Sequence, residues 1–236
     1  MSFSMIVAAA VAASSPQPVG SFAGSGPLPA PWRVVLVGKK VPPTSYRQAT
    51  IDGVGAIEAN ANSSMALLAR PIAVDLSETP ILCWKWWVEA PVAKADMSTK
   101  SGDDYAARLY VAFDISDASL GFGTRLKLSL ARRLFGNDVP DAALNYVWDN
   151  RNPVGTMRKS AYTDRAQLIV AETGATRAGR WVSERVDIAH DYARAFPGQP
   201  GQAIQLAIAS DTDNTRSRAR AAFAEIHFVA RKDLCR

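Results

Sequence analysis

A chain of 236 residues with 48% apolar residues can bury a sizeable core, and 21% charged residues set it apart from disordered chains. The net charge of +5 is diffuse: the densest basic run, Arg216-Ser217-Arg218-Ala219-Arg220, holds only three arginines, and no nucleic-acid reading motif accompanies it. Two cysteines and two histidines exclude a disulfide framework, a thiolate metal cluster and any centre built on several histidines.

Met5 to Ala13 is a short apolar run, followed by Ser14, Ser15 and a Pro/Gly/Ser-rich stretch to Pro31. It reads as the end of a secretory signal and a linker, although no Lys or Arg before Arg33 supplies a basic leader; an unprocessed flexible tail is the alternative. Residues 1–31 are therefore expected to be a signal-like or flexible segment, and 32–236 a single domain, exported to the periplasm or secreted. No stretch approaches the ~20 apolar residues of a membrane span.

From there on, period-2 alternation dominates. Trp32 to Val37 and Gly55 to Ala59 read as strands, and Ser63 to Ala69 as either a strand or a helix. Leu82, Trp84, Trp86 and Val88 share one strand face, opposite Cys83, Lys85, Trp87 and Glu89. Tyr105 to Phe113, Leu126 to Leu130, Ala143 to Trp148, Gln167 to Glu172, Trp181 to Asp187, Ala203 to Ala209 and Ala222 to Val229 follow as further strands. Turn residues separate them: Pro42-Pro43, Asp52-Gly53, Gly121 to Gly123, Gly136-Asn137-Asp138 and Gly174 to Gly179. Ile188, Tyr192 and Phe196 recur every four residues before Pro197-Gly198, which predicts one short helix. Many short strands without a series of long helices predict an all-β, antiparallel two-sheet sandwich of jelly-roll type. Cys83 and Cys235 either tie the tail to the sheet or, the simpler reading, leave one buried and one exposed thiol.

Three polar islands sit beside apolar strands: Gly102 to Arg108, Asn145 to Arg151 and Ser210 to Thr215. Asp103, Asp104, Arg108, Tyr110, Lys127, Asn145, Asp149 and Arg151 are the candidate ligand-binding residues. Amides, carboxylates and guanidiniums hydrogen-bond sugar hydroxyls, and aromatic rings stack on the C–H faces of a sugar ring. Trp87, opposite Trp84 and Trp86, is the candidate stacking platform, and surface ion pairing is the plain alternative for the charged set. Asp211 and Asp213 alternate oxygen donors as calcium would require, whereas Asx turns explain the same residues. Asp103, Asp104, Asp149, Glu172 and Glu184 supply carboxylates for glycosidase chemistry, and Arg108, Tyr110 and Arg151 could serve a lyase; spacing selects neither.

Ala95-Asp96-Met97 with Thr99 to Arg108, Asn145 to Asp149, Ala161-Tyr162-Thr163-Asp164-Arg165, Arg185-Val186-Asp187 with Asp191-Tyr192, and Ser210 to Thr215 together resemble the signature of the bacterial domain-of-unknown-function family numbered 3047. The likeness spans roughly residues 30 to 230. It implies a bacterial, exported protein and transfers no catalytic residue. Ala221 to Val229 is also similar to the closing strand of jelly-roll carbohydrate-binding modules. The expected function is polysaccharide or oligosaccharide binding, with a carbohydrate-active lyase or hydrolase and a purely structural or partner-binding sandwich as alternatives. Neither nucleic acid nor a cofactor other than calcium is expected.

Overall fold

A computed structural model describes residues 16–38, 40–115, 120, 121, 123, 124 and 140–235. One sheet contains β1 (Gln17–Gly20), β3 (Ser45–Ile51), β4 (Val54–Asn62), β6 (Ile81–Val88), β11 (Val182–Asp187) and β13 (Arg218–Val229). The other contains β2 (Arg33–Leu36), β5 (Ala66–Pro71), β7 (Arg108–Ile115), β8 (Ala142–Asp149), β9 (Met157–Lys159), β10 (Ala166–Thr173) and β12 (Gly201–Ala209). The first runs β11-β6-β13-β4-β3, with β1 also pairing β13; the second runs β2-β5-β12-β7-β8-β10-β9. The chain passes repeatedly from sheet to sheet, which makes the molecule a jelly-roll sandwich. All pairs are antiparallel except β8 with β10, which run parallel; a purely antiparallel expectation misses that pair.

Alternation places one face of each sheet in the core, and Leu82, Trp84, Trp86 and Val88 of β6 share the core face. Trp84 and Trp86 meet edge to face at 5.3 Å, and reach across to Tyr146 and Trp148, each at 5.7 Å. Ring pairs of this geometry add to the burial of their large apolar area. Asp52 and Gly53 both adopt positive φ, which a two-residue hairpin turn between β3 and β4 requires. The predicted helix is present as α1 (Ile188–Ala195), capped by the Asp187 carboxylate, which accepts from His190 N–H at 2.9 Å. Tyr192 packs its ring on Phe113 at 4.1 Å.

Two expectations need correction and one open reading is resolved. The boundary at residue 31 falls too late: β1 pairs with β13, and Val19 and Phe22 enter the core beside Trp32. Backbone pairing with β13, the Arg70 guanidinium on the Val19 carbonyl and the burial of Val19 and Phe22 dock this short segment despite its Pro/Gly-rich surroundings. The ambiguous Ser63 to Ala69 segment enters a strand, β5, which buries Ala66 and Leu68. Cys83 and Cys235 are joined by a disulfide, Cα to Cα 5.7 Å, closing a loop across 152 residues. Strand Leu126 to Leu130, with Lys127, and the turn at Gly136 to Asp138 lie outside the described residues. No helix among the described residues is long and apolar enough to cross a membrane.

Candidate functional site

β7 begins, β8 ends and β12 ends at the same end of the second sheet, because β7 is antiparallel to both neighbours. The three polar islands follow from those strand ends, so the topology gathers them at one corner. Their side chains face each other more than solvent. Arg108 is 3% exposed. Its Nε donates to Asp211 Oδ1 at 2.8 Å, and its Nη2 reaches Asp211 Oδ2 at 2.8 Å and Asp103 Oδ1 at 2.9 Å. The guanidinium lies over the Tyr105 ring, 4.5 Å from its centroid. Burial works against the Arg108 charge, but Asp103 and Asp211 hold it firmly cationic. Burial likewise pushes Asp211 upward, while Arg108 pulls it down and Asp104 and Asp103 push it up. Asp211 also accepts the Tyr105 N–H at 2.9 Å. Three donors on one carboxylate favour its ionised form and oppose the burial that pushes Asp211 up to about 7.

Asp104 is fully buried and fastens the third island to the first. Its Oδ2 accepts from Thr215 N–H and Thr215 Oγ1, both at 2.6 Å, and its Oδ1 from Asn214 N–H and Nδ2 at 3.3 and 3.2 Å. Asp104, Asp211 and Asp213 each bring one carboxylate oxygen to within 4.8 Å of the others, the arrangement a hard cation could bridge. The four donors on Asp104 already match its lone-pair capacity.

The remaining candidates lie around this knot. Tyr110 follows Arg108 on the same strand face and stands opposite Asn145. Asn145 is buried, and its Oδ1 has no hydrogen-bond partner among the described residues. Asp149 accepts from the Arg151 and Asn152 N–H groups at 2.7 and 2.6 Å, an Asx turn ending β8. Arg151 turns outward to Asp96 at 3.1 Å. Trp87, the candidate platform, is 8% exposed and lies under the Arg220 guanidinium.

Reading alternation alone passes over Tyr162, in the loop between β9 and β10. The residue is 54% exposed, beside the knot. The hydroxyl donates to Asn214 Oδ1 at 2.6 Å, with the Lys100 carbonyl 3.2 Å away, and Lys100 Nζ sits 5.3 Å from the ring centroid. Burial and then the Asp103, Asp213 and Asp104 charges push this hydroxyl above its ordinary range. The available signal was an aromatic residue inside a turn-rich segment, where no core position calls for one.

A second carboxylate pair lies at the β10–β11 side. Glu184 accepts the Trp86 indole N–H at 3.1 Å, and Glu172 pairs with Arg177 at 2.6 Å. Burial raises Glu184 to about 7, opposed by the Trp86 hydrogen bond and assisted by Glu172. The fold thus keeps the proton up to about pH 7, whereas a free glutamic acid loses it near 4.5. Between these values the folded state binds more protons, so this group's contribution to stability falls as pH rises through that window. Glu184→Gln should therefore raise stability at pH 8 by about 1–2 kcal/mol, allowing for solvent screening at a half-buried edge, and change little at pH 4. Urea unfolding at both pH values checks this; an equal effect at both would remove titration as the cause.

Two sheets packed on a shared aromatic core, with a polar corner at one end, define a β-sandwich of the jelly-roll class. The chain belongs to the family described as "Protein of unknown function (DUF3047)", whose sequence model matches residues 30–227. No curated protein matches it. Among solved structures it is similar to the family 30 carbohydrate-binding module of a Clostridium thermocellum cellulosomal cellulase, at 11% identity, covering 94% of this chain and 97% of that one, TM-score 0.40. The xyloglucanase domain of NopAA, a type three effector from Sinorhizobium fredii, in complex with cellobiose, is similar at 11% identity, covering 90% and 100%, TM-score 0.42. Trichoderma harzianum endoglucanase 3, from family GH12, is similar at 10% identity, covering 85% and 99%, TM-score 0.37.

Proposed function

We propose that this protein is exported and binds a polysaccharide or oligosaccharide at the end of the sandwich where the islands meet. The observation that carries the reading is Tyr162, an exposed ring held through its hydroxyl beside Asp213, Asn214 and Lys100. Such a ring stacks on a sugar's C–H face while the surrounding polar groups hydrogen-bond its hydroxyls. The buried residues Asp103, Asp104, Arg108 and Asp211 support the lip from beneath by fixing the loop that carries Asn214. The disulfide supports export, since such bonds persist in oxidising compartments.

Affinity electrophoresis against a panel of soluble polysaccharides tests this. At least one glycan should retard the native protein, and Tyr162→Ala should weaken that binding about tenfold, the loss of roughly one aromatic contact. Equal mobility in every gel would favour a sandwich whose islands only tie loops together. Running the gels with calcium and with chelator tests Asp211 and Asp213 as its ligands: only a calcium-dependent shift supports a cation there. Sizing the glycans after incubation tests a hydrolase or lyase, for which the Glu172–Glu184 pair offers the carboxylates.

A further inference from the structure

On the outer face of the first sheet, next to the same corner, a groove of about 600 Å³ runs across β3, β4 and β13. That volume lies within the range of small-ligand sites. Its lining includes Pro43, Asn60, Asn62, Glu89, Arg218 and Arg220. Arg218 and Arg220 come from the basic run of the sequence, and alternation along β13 puts both on this face. Arg220 donates to Glu58 Oε1 at 2.6 Å, and Arg47 pairs with the other oxygen of the same carboxylate. Burial would raise Glu58, yet Arg220 and Arg47 hold it below the usual carboxylate range. Arg218 is exposed; its Nε donates to Asn62 Oδ1 at 3.2 Å, and it pairs with no carboxylate among the described residues. Three guanidiniums therefore face two carboxylates, Glu58 and Glu89, in and beside the groove.

Hydrogen bonding leaves specific groups available to a guest. Asn62 spends its carbonyl oxygen on Arg218, which frees its amide N–H₂ as a donor. Asn60, two residues beyond Glu58 on the same face of β4, adds a second side-chain amide to the lining. No aromatic ring is among the described lining residues, and the nearby Trp87 ring is covered by Arg220. A neutral sugar chain would find no stacking surface here. A chain bearing carboxylates would find an unneutralised guanidinium, whose planar fork matches that group.

The groove also adjoins the loop beside Tyr162. Ser64, which lines the groove, donates its N–H to Thr212 Oγ1 at 3.3 Å, and Tyr162 donates to Asn214 Oδ1 of the same loop, so the loop from Ser210 to Ser217 touches both. We infer that the groove binds an acidic polysaccharide, a chain of uronic acid units, with Arg218 as the residue that selects the carboxylate. This rests on the carbohydrate-binding reading and names the substrate class.

Calorimetric titrations with a galacturonate oligosaccharide, a neutral cello-oligosaccharide of matched length and inorganic phosphate test it. The native protein should bind the acidic chain most tightly, and added salt should weaken that binding. Arg218→Glu should lower affinity for the acidic chain at least about tenfold and Arg218→Gln less, with affinity for the neutral chain little changed. Tyr162→Ala, by contrast, should weaken acidic and neutral chains alike, because stacking ignores the carboxylate. Arg218 is an exposed side chain with one hydrogen bond, so thermal melts of both its variants should stay near the native one. If Arg218→Glu leaves the acidic-to-neutral preference unchanged while Tyr162→Ala weakens both, the groove inference fails and the carbohydrate reading survives. Phosphate binding as strong as the oligosaccharide's would reduce the groove to a general anion site and overturn the inference. Binding of no glycan at all would overturn both.

Discussion

Arg108→Ala should destabilise the sandwich by about 3–5 kcal/mol, the usual cost of removing one partner from a buried ion network. The guanidinium is the counter-charge to both Asp211 and Asp103, and Asp104 lies in the same buried corner. Without it, the carboxylates must take up protons or draw in water. The loss should accordingly be larger at pH 8 than at pH 4, where protonation relieves the repulsion. Urea unfolding at the two pH values measures both the size and its pH dependence. A loss within about 0.5 kcal/mol would place Arg108 among ordinary surface residues and dissolve the knot as a structural element. Arg108→Lys should recover little, since an ammonium cannot reproduce the two-pronged contact to Asp211.

Removing the disulfide by Cys83→Ala together with Cys235→Ala should cost about 2–5 kcal/mol. The bond joins β6 to the tail that follows β13, and so closes a loop across 152 residues. The chain-entropy relation puts a loop of that length at roughly 5 kcal/mol, an upper figure because denatured chains retain structure. Cys83 is also buried against Ile81 and Val229, so the alanine leaves a small gap there. Comparing the double variant with the native protein under reducing conditions separates the two effects: the reduced native protein lacks the cross-link but keeps the packing. Identical unfolding midpoints for oxidised and reduced native protein would show that the bond stabilises nothing.

The strands were legible where alternation was strong. Turning the face of Leu82, Trp84, Trp86 and Val88 to solvent would expose four apolar side chains, so its place in the core between the sheets follows from that pattern alone. Asp52-Gly53 declares a tight hairpin because both positions tolerate positive φ. Polar β3 (Ser45–Ile51) and short β9 went unread, since neither carries a sustained apolar stripe. The parallel pairing of β8 and β10 was equally invisible, because a strand's own sequence does not name its neighbour's direction.

The polar islands mark the same limit. Local residue types identified Asp103, Asp104, Arg108, Asn145, Asp149, Asp211 and Asp213 as unusual company for apolar strands. Their convergence depends on three strand ends meeting after long excursions of the chain, which is a property of topology. Their burial depends on what lies over them: the same Asp and Arg residues would be solvated on an open sheet, yet they bond one another beneath the loop from Asp211 to Thr215. Exposure likewise distinguishes Tyr162 from Trp87, two aromatic residues that sequence cannot rank, because coverage by Arg220 is decided across strands. Amino-acid order by itself therefore determined the layers, the core faces and the polar groups without local apolar partners. Tertiary structure alone decided which polar groups satisfy each other and which remain open to a ligand, because hydrogen bonds and burial are set by neighbours far away in the chain.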